Sequence, residues 1–183
     1  MGFYCDMAIG HAVHGPYHDG EYGVPVDDEA TLFERFCLEI FQAGLSWEIV
    51  LRKRAALYDA FDGFVVDKVA AFDQVRQMRL LDNPQIIRNR LKTRAIIENA
   101  RRFQALRATH QGFSGWLAQH HPMPLNAWVV CFKKTFVFTG PEIVHELLMS
   151  IGYLPGAHRS DCPCYAAIAA LDPPWMRKSP ATK

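Results

Sequence analysis

The chain has 183 residues, half of them hydrophobic and 12% aromatic, a composition that fills one globular domain and excludes a disordered segment. Its formal net charge is +1, so overall charge announces no nucleic-acid partner, and the placement of the charges matters more than their sum. No apolar run is long enough to cross a bilayer, and the opening MGFYCDMAIGHAVHGPYHDGE has acids and histidines where a signal peptide needs a basic start, so a cytoplasmic protein without membrane contact is expected.

In chain order, the first 25 or so residues read as irregular, because HGPYHDGEYGVP is rich in turn-forming residues. Asp28 then caps a helix whose Leu32, Phe33, Phe36, Cys37, Ile40 and Phe41 recur at steps of three and four. Ala43-Gly44-Leu45 breaks it, and Ser46 caps a second helix reaching Phe61. Asp67 opens a short helix over 68–72, and Asp73 opens another over 74–81. Pro84 disfavours a helical Asn83, so Asp82-Asn83-Pro84 is a turn.

A long helix is expected from about Ile86 to Ala108. It carries Arg88, Arg90, Lys92, Arg94, Arg101, Arg102 and Arg107 against a single acid, Glu98. A short helix holds Trp116 and Leu117, and FKKTFVFT (132–139) reads as a brief extended segment. Pro141 lies in the first turn of a further helix, which Gly152 stops. The tail from Asp172, with three prolines, is expected to be loose. No strand alternation is strong enough for a sheet, so the class is mostly helical, one domain over 1–171.

Five cysteines in a reducing compartment are expected as thiols or metal ligands. Cys5 and His18 near one end, and His158 and Cys162 near the other, form two distant pairs of zinc-type donors. Joined, they would clasp the two ends of the chain. Four protein ligands leave no open position, so such a zinc is structural. Spacing alone does not select this set, because Cys164 and the other histidines offer rival combinations.

Several stretches together resemble the 3-methyladenine DNA glycosylase I family, a branch of the helix-hairpin-helix repair glycosylases. They are YHDGEYGVP (17–25), LFERFCLEIFQAGLSWEIVLRKR (32–54), IIRNRLKTRAIIENAR (86–101), FVFTGP (136–141) and the His158/Cys162 pair. The resemblance implies an all-α fold with a zinc clasp, a helix-hairpin-helix element over about 74–94, and hydrolytic release of methylated adenine from DNA. It puts the zinc ligands on Cys5, His18, His158 and Cys162, the pocket acid on Glu39, and pocket aromatics on Tyr17 and Trp47. The chain departs from the family pattern at Met7 and Tyr22, where tryptophan is usual, at His14 in place of a pocket aromatic, and at Gln85 in place of a glycine. Those four departures define a rival reading, a DNA-binding damage sensor without cleavage, or a relative with a shifted substrate.

Pattern alone makes Glu39 a solvated acid beside Arg35. The resemblance makes it the group that accepts hydrogen bonds from the exocyclic amine and balances the charge of an alkylated adenine. Rings at Tyr17, Trp47 and Tyr22 would attract such a cation, and His14 would add a polar group to the wall. DNA contact is expected at Gln85, Ile86, Arg88, Arg90 and Lys92, where backbone N–H groups at a helix start and a basic cluster suit phosphate. Arg52, Lys53, Arg54, Lys133 and Lys134 extend that footprint. With no acid between Gln85 and Glu98, and Lys92 set among arginines, the expected enzyme is monofunctional and leaves the strand intact. No redox cofactor is implied, and a monomer is the simplest expectation.

Overall fold

The computed structural model describes residues 4–177. Among the described residues all regular structure is helical: α1 (Tyr4–Ala8), α2 (His14–Gly20), α3 (Glu29–Gln42), α4 (Trp47–Ala60), α5 (Val66–Ala70), α6 (Gln74–Asp82), α7 (Arg90–His110), α8 (Phe113–His120), α9 (Leu125–Thr135), α10 (Pro141–Ser150) and α11 (Tyr165–Ala169), with short 3-10 turns at Asp62–Phe64 and Pro174–Met176. The helical class follows, and so do the caps read from the sequence. Asp28 accepts the Thr31 N–H at 2.8 Å, Asp73 the Arg76 N–H at 2.7 Å, and Ser46 the Ile49 N–H at 3.4 Å.

Helix α3 is the axis of the molecule. Every residue from Leu32 to Phe41 is buried, so its neighbours cover it all round. Phe36 packs among Phe103, Phe113, Phe132 and Phe136, with ring centroids 5.3–6.3 Å apart. Two glutamates and an arginine go into the core with that helix: Glu34, Arg35 and Glu39.

Some boundaries depart from expectation. The N-terminal segment is not irregular, since it folds into α1 and α2. Pro16 falls in the first turn of α2, where a missing N–H costs nothing. His11 Nδ1 accepts the N–H groups of Val13 and His14 at 3.1 and 3.2 Å and serves as the cap. The long basic helix starts at Arg90 rather than Ile86, because Asn89 accepts the Lys92 N–H at 3.0 Å.

The segment 132–139 is not extended throughout. Its first part ends α9, where Trp128 and Phe132, one helical turn apart, are both buried. Only the stretch after Thr135 leaves the helix, and the Asn99 amide fixes it by accepting from the Val137 N–H at 2.9 Å and donating to its carbonyl at 3.0 Å. The start of the tail is tied down, with the Trp175 N–H donating to Gly152 O at 3.1 Å. The remaining residues expected to be loose, 178–183, lie outside the described residues.

Candidate functional site

An open cavity of about 1210 Å³ lies between α1, α2, the C-terminal end of α3, the turn into α4, and α10. Its lining includes the rings of Tyr4, Tyr17, Tyr22 and Trp47 and the acids Asp6, Glu39, Glu142 and Glu146, with no lysine or arginine among the described residues. The rings brace one another. Tyr17 meets Trp47 edge-on at 5.1 Å and Tyr22 at 5.7 Å, and Tyr4 meets Tyr22 at 5.3 Å.

The three buried charged-type residues of α3, Glu34, Arg35 and Glu39, have different fates. Glu34 accepts from Arg54 Nε at 2.8 Å. Arg35 pairs with Glu21 at 2.8 Å and lies over the Tyr17 ring at 4.9 Å. Arg54 also binds both Glu21 oxygens, at 2.7 and 2.9 Å, so a four-residue ion network ties the segment after α2 to α3 and α4. Glu39 is only 5% exposed, yet its carboxylate has no hydrogen bond or ion pair among the described residues, and it faces the cavity. Burial, reinforced by the nearby Glu146 charge and opposed by Arg35, holds its ionisation well above the ordinary carboxylate range. The Tyr17 hydroxyl, also buried, meets no hydrogen-bond geometry among the described residues either.

The structure therefore brings together Glu39, Tyr17, Tyr22 and Trp47. It does not bring in His14, which is 3% exposed and sits behind Tyr4, its Nδ1 2.9 Å from the Tyr4 hydroxyl. His14 braces a wall ring instead of forming the wall. Two lining groups escaped the sequence reading. Tyr4 neighbours Cys5 and had no pattern of its own. Glu142, His145, Glu146 and Met149 fall on one face of α10, opposite the buried Ile143, Val144, Leu147 and Leu148, and that spacing was the available signal. His145 belongs to this face too.

Behind the cavity, one ligand atom from each of Cys5, His18, His158 and Cys162 lies within 4.8 Å of the others, all four residues buried. The His158 Nδ1 to Cys5 Sγ, His158 Nδ1 to Cys162 Sγ, and His18 Nε2 to Cys162 Sγ separations are 3.8, 3.4 and 3.7 Å. A tetrahedral ion with ordinary Zn–S and Zn–N bonds would set such edges at roughly 3.5 Å.

Each ring has its other nitrogen engaged. His18 Nδ1 is 2.7 Å from Asp19 Oδ1, and His158 Nε2 is 2.7 Å from the Tyr22 carbonyl. That arrangement orients the ligating nitrogens. Burial above all favours neutral His158, the form that binds a metal. The donor set fits a borderline-soft cation. The rival Cys164 lies 3.6 Å from Asp19 Oδ1 and groups with His18 and the exposed Asp19, outside the buried set of four.

The expected DNA contacts divide. Gln85, Arg88 and Arg90 are exposed around the α6–α7 connection. The Ile86 side chain is in the core, 3% exposed, which leaves only its backbone for contact. Lys92 is neither a solvated charge nor a phosphate contact. It is buried, and its ammonium donates to Phe41 O at 2.7 Å and Ala43 O at 2.5 Å, closing the C-terminal end of α3.

Arg54 is spent in the ion network, Arg52 pairs with Glu48 at 2.7 Å, and Lys53 donates to Gln85 O at 2.8 Å. Much of the α7 charge is internal too, with Arg102 on Glu98 and Arg107 on Glu29 and Asp67.

A family model described as methyladenine glycosylase matches residues 9–128. The chain is 34% identical over 180 residues to DNA-3-methyladenine glycosylase 1 of Escherichia coli, covering 88% of this chain and 96% of that one. It is 32% identical over 179 residues to the DNA-3-methyladenine glycosylase of Haemophilus influenzae, covering 87% and 96%. A tyrosine-to-phenylalanine variant of a 3-methyladenine DNA glycosylase I, solved in complex with 3-methyladenine, superposes with a TM-score of 0.80 at 28% identity over 87% of this chain and 96% of that chain. With the helical fold and the acid-and-ring cavity in place, these matches mean that the chain belongs to the methyladenine glycosylase family.

Proposed function

We propose that the protein is a DNA glycosylase, a hydrolase that frees 3-methyladenine or a related alkylated purine and leaves the strand intact. The observation that carries this reading is Glu39, a buried carboxylate without a partner among the described residues, facing a ring-lined cavity to which those residues contribute no lysine or arginine. An empty site of that kind is costly to maintain, and a cationic guest offsets the cost. A purine alkylated on a ring nitrogen carries that charge in the nucleotide, whereas normal adenine is neutral and a poorer leaving group.

The chain's residues bind and orient. The nucleotide leaves the duplex at a cost of a few kcal/mol, less for a damaged base. The faces of Tyr17, Tyr22 and Trp47 hold the purine, and Glu39 accepts from its exocyclic amine. The C1′–N bond breaks with its electron pair passing to the purine, whose charge is thereby cancelled. Water adds at C1′ and its proton passes to solvent, without a strong general base. Lys92, engaged by two carbonyls, offers no free amine for attack on the sugar, in keeping with an uncut strand.

The α6–α7 connection is read as the helix-hairpin-helix anchor, with Arg88 and Arg90 at phosphate. Cys5, His18, His158 and Cys162 would hold a structural zinc whose role is to pin the N-terminal segment that carries Tyr4 and Tyr17. The protein is read as a monomer acting in the cytoplasm. No helix among the described residues is long and apolar enough to cross a membrane.

The test is analysis of free bases from methylated DNA. The wild type should release 3-methyladenine and spare adenine, and Glu39→Gln should lower release on the order of a hundredfold. Full release by the variant removes Glu39 from the mechanism, and no release by the wild type removes the function.

A further inference from the structure

Glu146 faces the same cavity, and the reading above gives it no task. It stands on α10, and the Tyr22 hydroxyl, 124 residues away in sequence, donates to its Oε2 at 3.0 Å. Burial first, then the Glu146 charge, keeps Tyr22 a phenol, so it remains a donor. A tryptophan at this position could present only an indole N–H on a differently shaped ring. The other oxygen of Glu146 has no hydrogen bond among the described residues. Across the cavity is Glu39, nine-tenths buried and without a partner among those residues.

We propose that Glu146, held by Tyr22, is a second recognition carboxylate, and that Glu39 and Glu146 together make the pocket selective for a purine with a full positive charge. The inference rests on the base-releasing reading. Burial and the facing Glu146 charge make Glu39 costly to ionise, so the pocket without a guest retains a proton on Glu39. A cationic guest takes that proton's place and meets two negative charges, whereas a neutral purine displaces nothing. The surrounding groups do not cancel the effect. Arg35 on α3 opposes it and is already paired with Glu21. Tyr4, Tyr17 and Tyr22 are neutral phenols, Asp6 is paired with Arg159, Glu142 adds negative charge, and His145 lies beside Glu146 on α10.

Glu146→Gln keeps the shape and leaves an amide oxygen to accept from Tyr22. Two measurements on the full, metal-replete chain decide the matter, with thermal melting as the folding control. One is the side-chain carboxyl NMR titration of Glu39. The other is kcat/KM against pH for 3-methyladenine release. In the variant Glu39 should titrate at lower pH, and the acid limb of the rate profile should move down with it. On the plateau above that limb, release should fall about tenfold, the effect of one lost carboxylate–cation attraction in a half-screened site. Tyr22→Phe should act in the same direction and less strongly.

An unmoved Glu39 titration and acid limb overturn the proposal, even if activity drops uniformly, because a merely structural role gives that pattern. If the wild type frees no methylated purine, the base-releasing reading and the selectivity fall together. A shifted Glu39 titration would in that case still record the carboxylate pair.

Discussion

Lys92→Met tests how the fold holds the pocket. The ammonium caps Phe41 O and Ala43 O, two carbonyls left over at the end of α3. Charge-assisted hydrogen bonds contribute about 1.5–3 kcal/mol each, and a buried carbonyl stripped of its donor costs about 1–3 kcal/mol. Against that stands the desolvation of the ammonium, which the substitution relieves. Its presence is recorded in the burial that lowers the ionisation of Lys92 below its ordinary value. Methionine keeps most of the packing, so the balance is a net loss of about 2–4 kcal/mol. For a domain of this size each kcal/mol is worth about 2–4 °C, so calorimetry should find melting lowered by roughly 5–15 °C. The last turn of α3 leads into Gln42, Ala43 and Gly44 of the cavity wall, so base release at 25 °C should fall while both proteins are still folded. A variant melting within about 1 °C of wild type would refute the reasoning, since the carbonyls would then have found water at no cost.

Glu39 also makes stability depend on pH. Its folded ionisation is raised above the ordinary 4.5, so the folded state keeps a proton that the unfolded chain has lost, and stability falls as pH rises from about 4.5 through the folded value. Glu39→Gln should therefore melt higher than wild type near neutral pH and match it below 4.5, which paired melting curves would check. Metal analysis should find zinc bound by the native chain. Chelation or Cys162→Ala should lower the melting temperature and loosen Tyr22 through His158, and a metal-free protein of unchanged stability would remove the clasp. Replacing Arg88 and Arg90 by alanine should weaken binding to any duplex and reduce the salt slope by about 2, as two lost phosphate contacts require, with an unchanged slope placing the anchor elsewhere.

Much of this protein is written locally. Asp28, Ser46 and Asp73 mark their helices because a cap is decided within three residues, and the apolar repeat of α3 marks a core helix for the same reason. The donor types at Cys5, His18, His158 and Cys162 suggested a metal, and the motifs around Tyr17, Glu39 and Trp47 carried the family resemblance. Local signals also misled. Phe132–Thr139 has strand-favouring residues, yet burial of Trp128 and Phe132 keeps its first part helical.

What only the tertiary structure decided is which charged groups lose water and what they meet. Glu34, Arg35 and Glu39 look alike in sequence, polar residues set between apolar ones. Contacts from Arg54 and Glu21 neutralise the first two and leave the third facing a cavity. Lys92 among exposed arginines goes inward to helix-end carbonyls, and Glu146 becomes a pocket wall only when α10 closes against Tyr22. Desolvation is set by neighbours far away along the chain, and no window of a few residues records it.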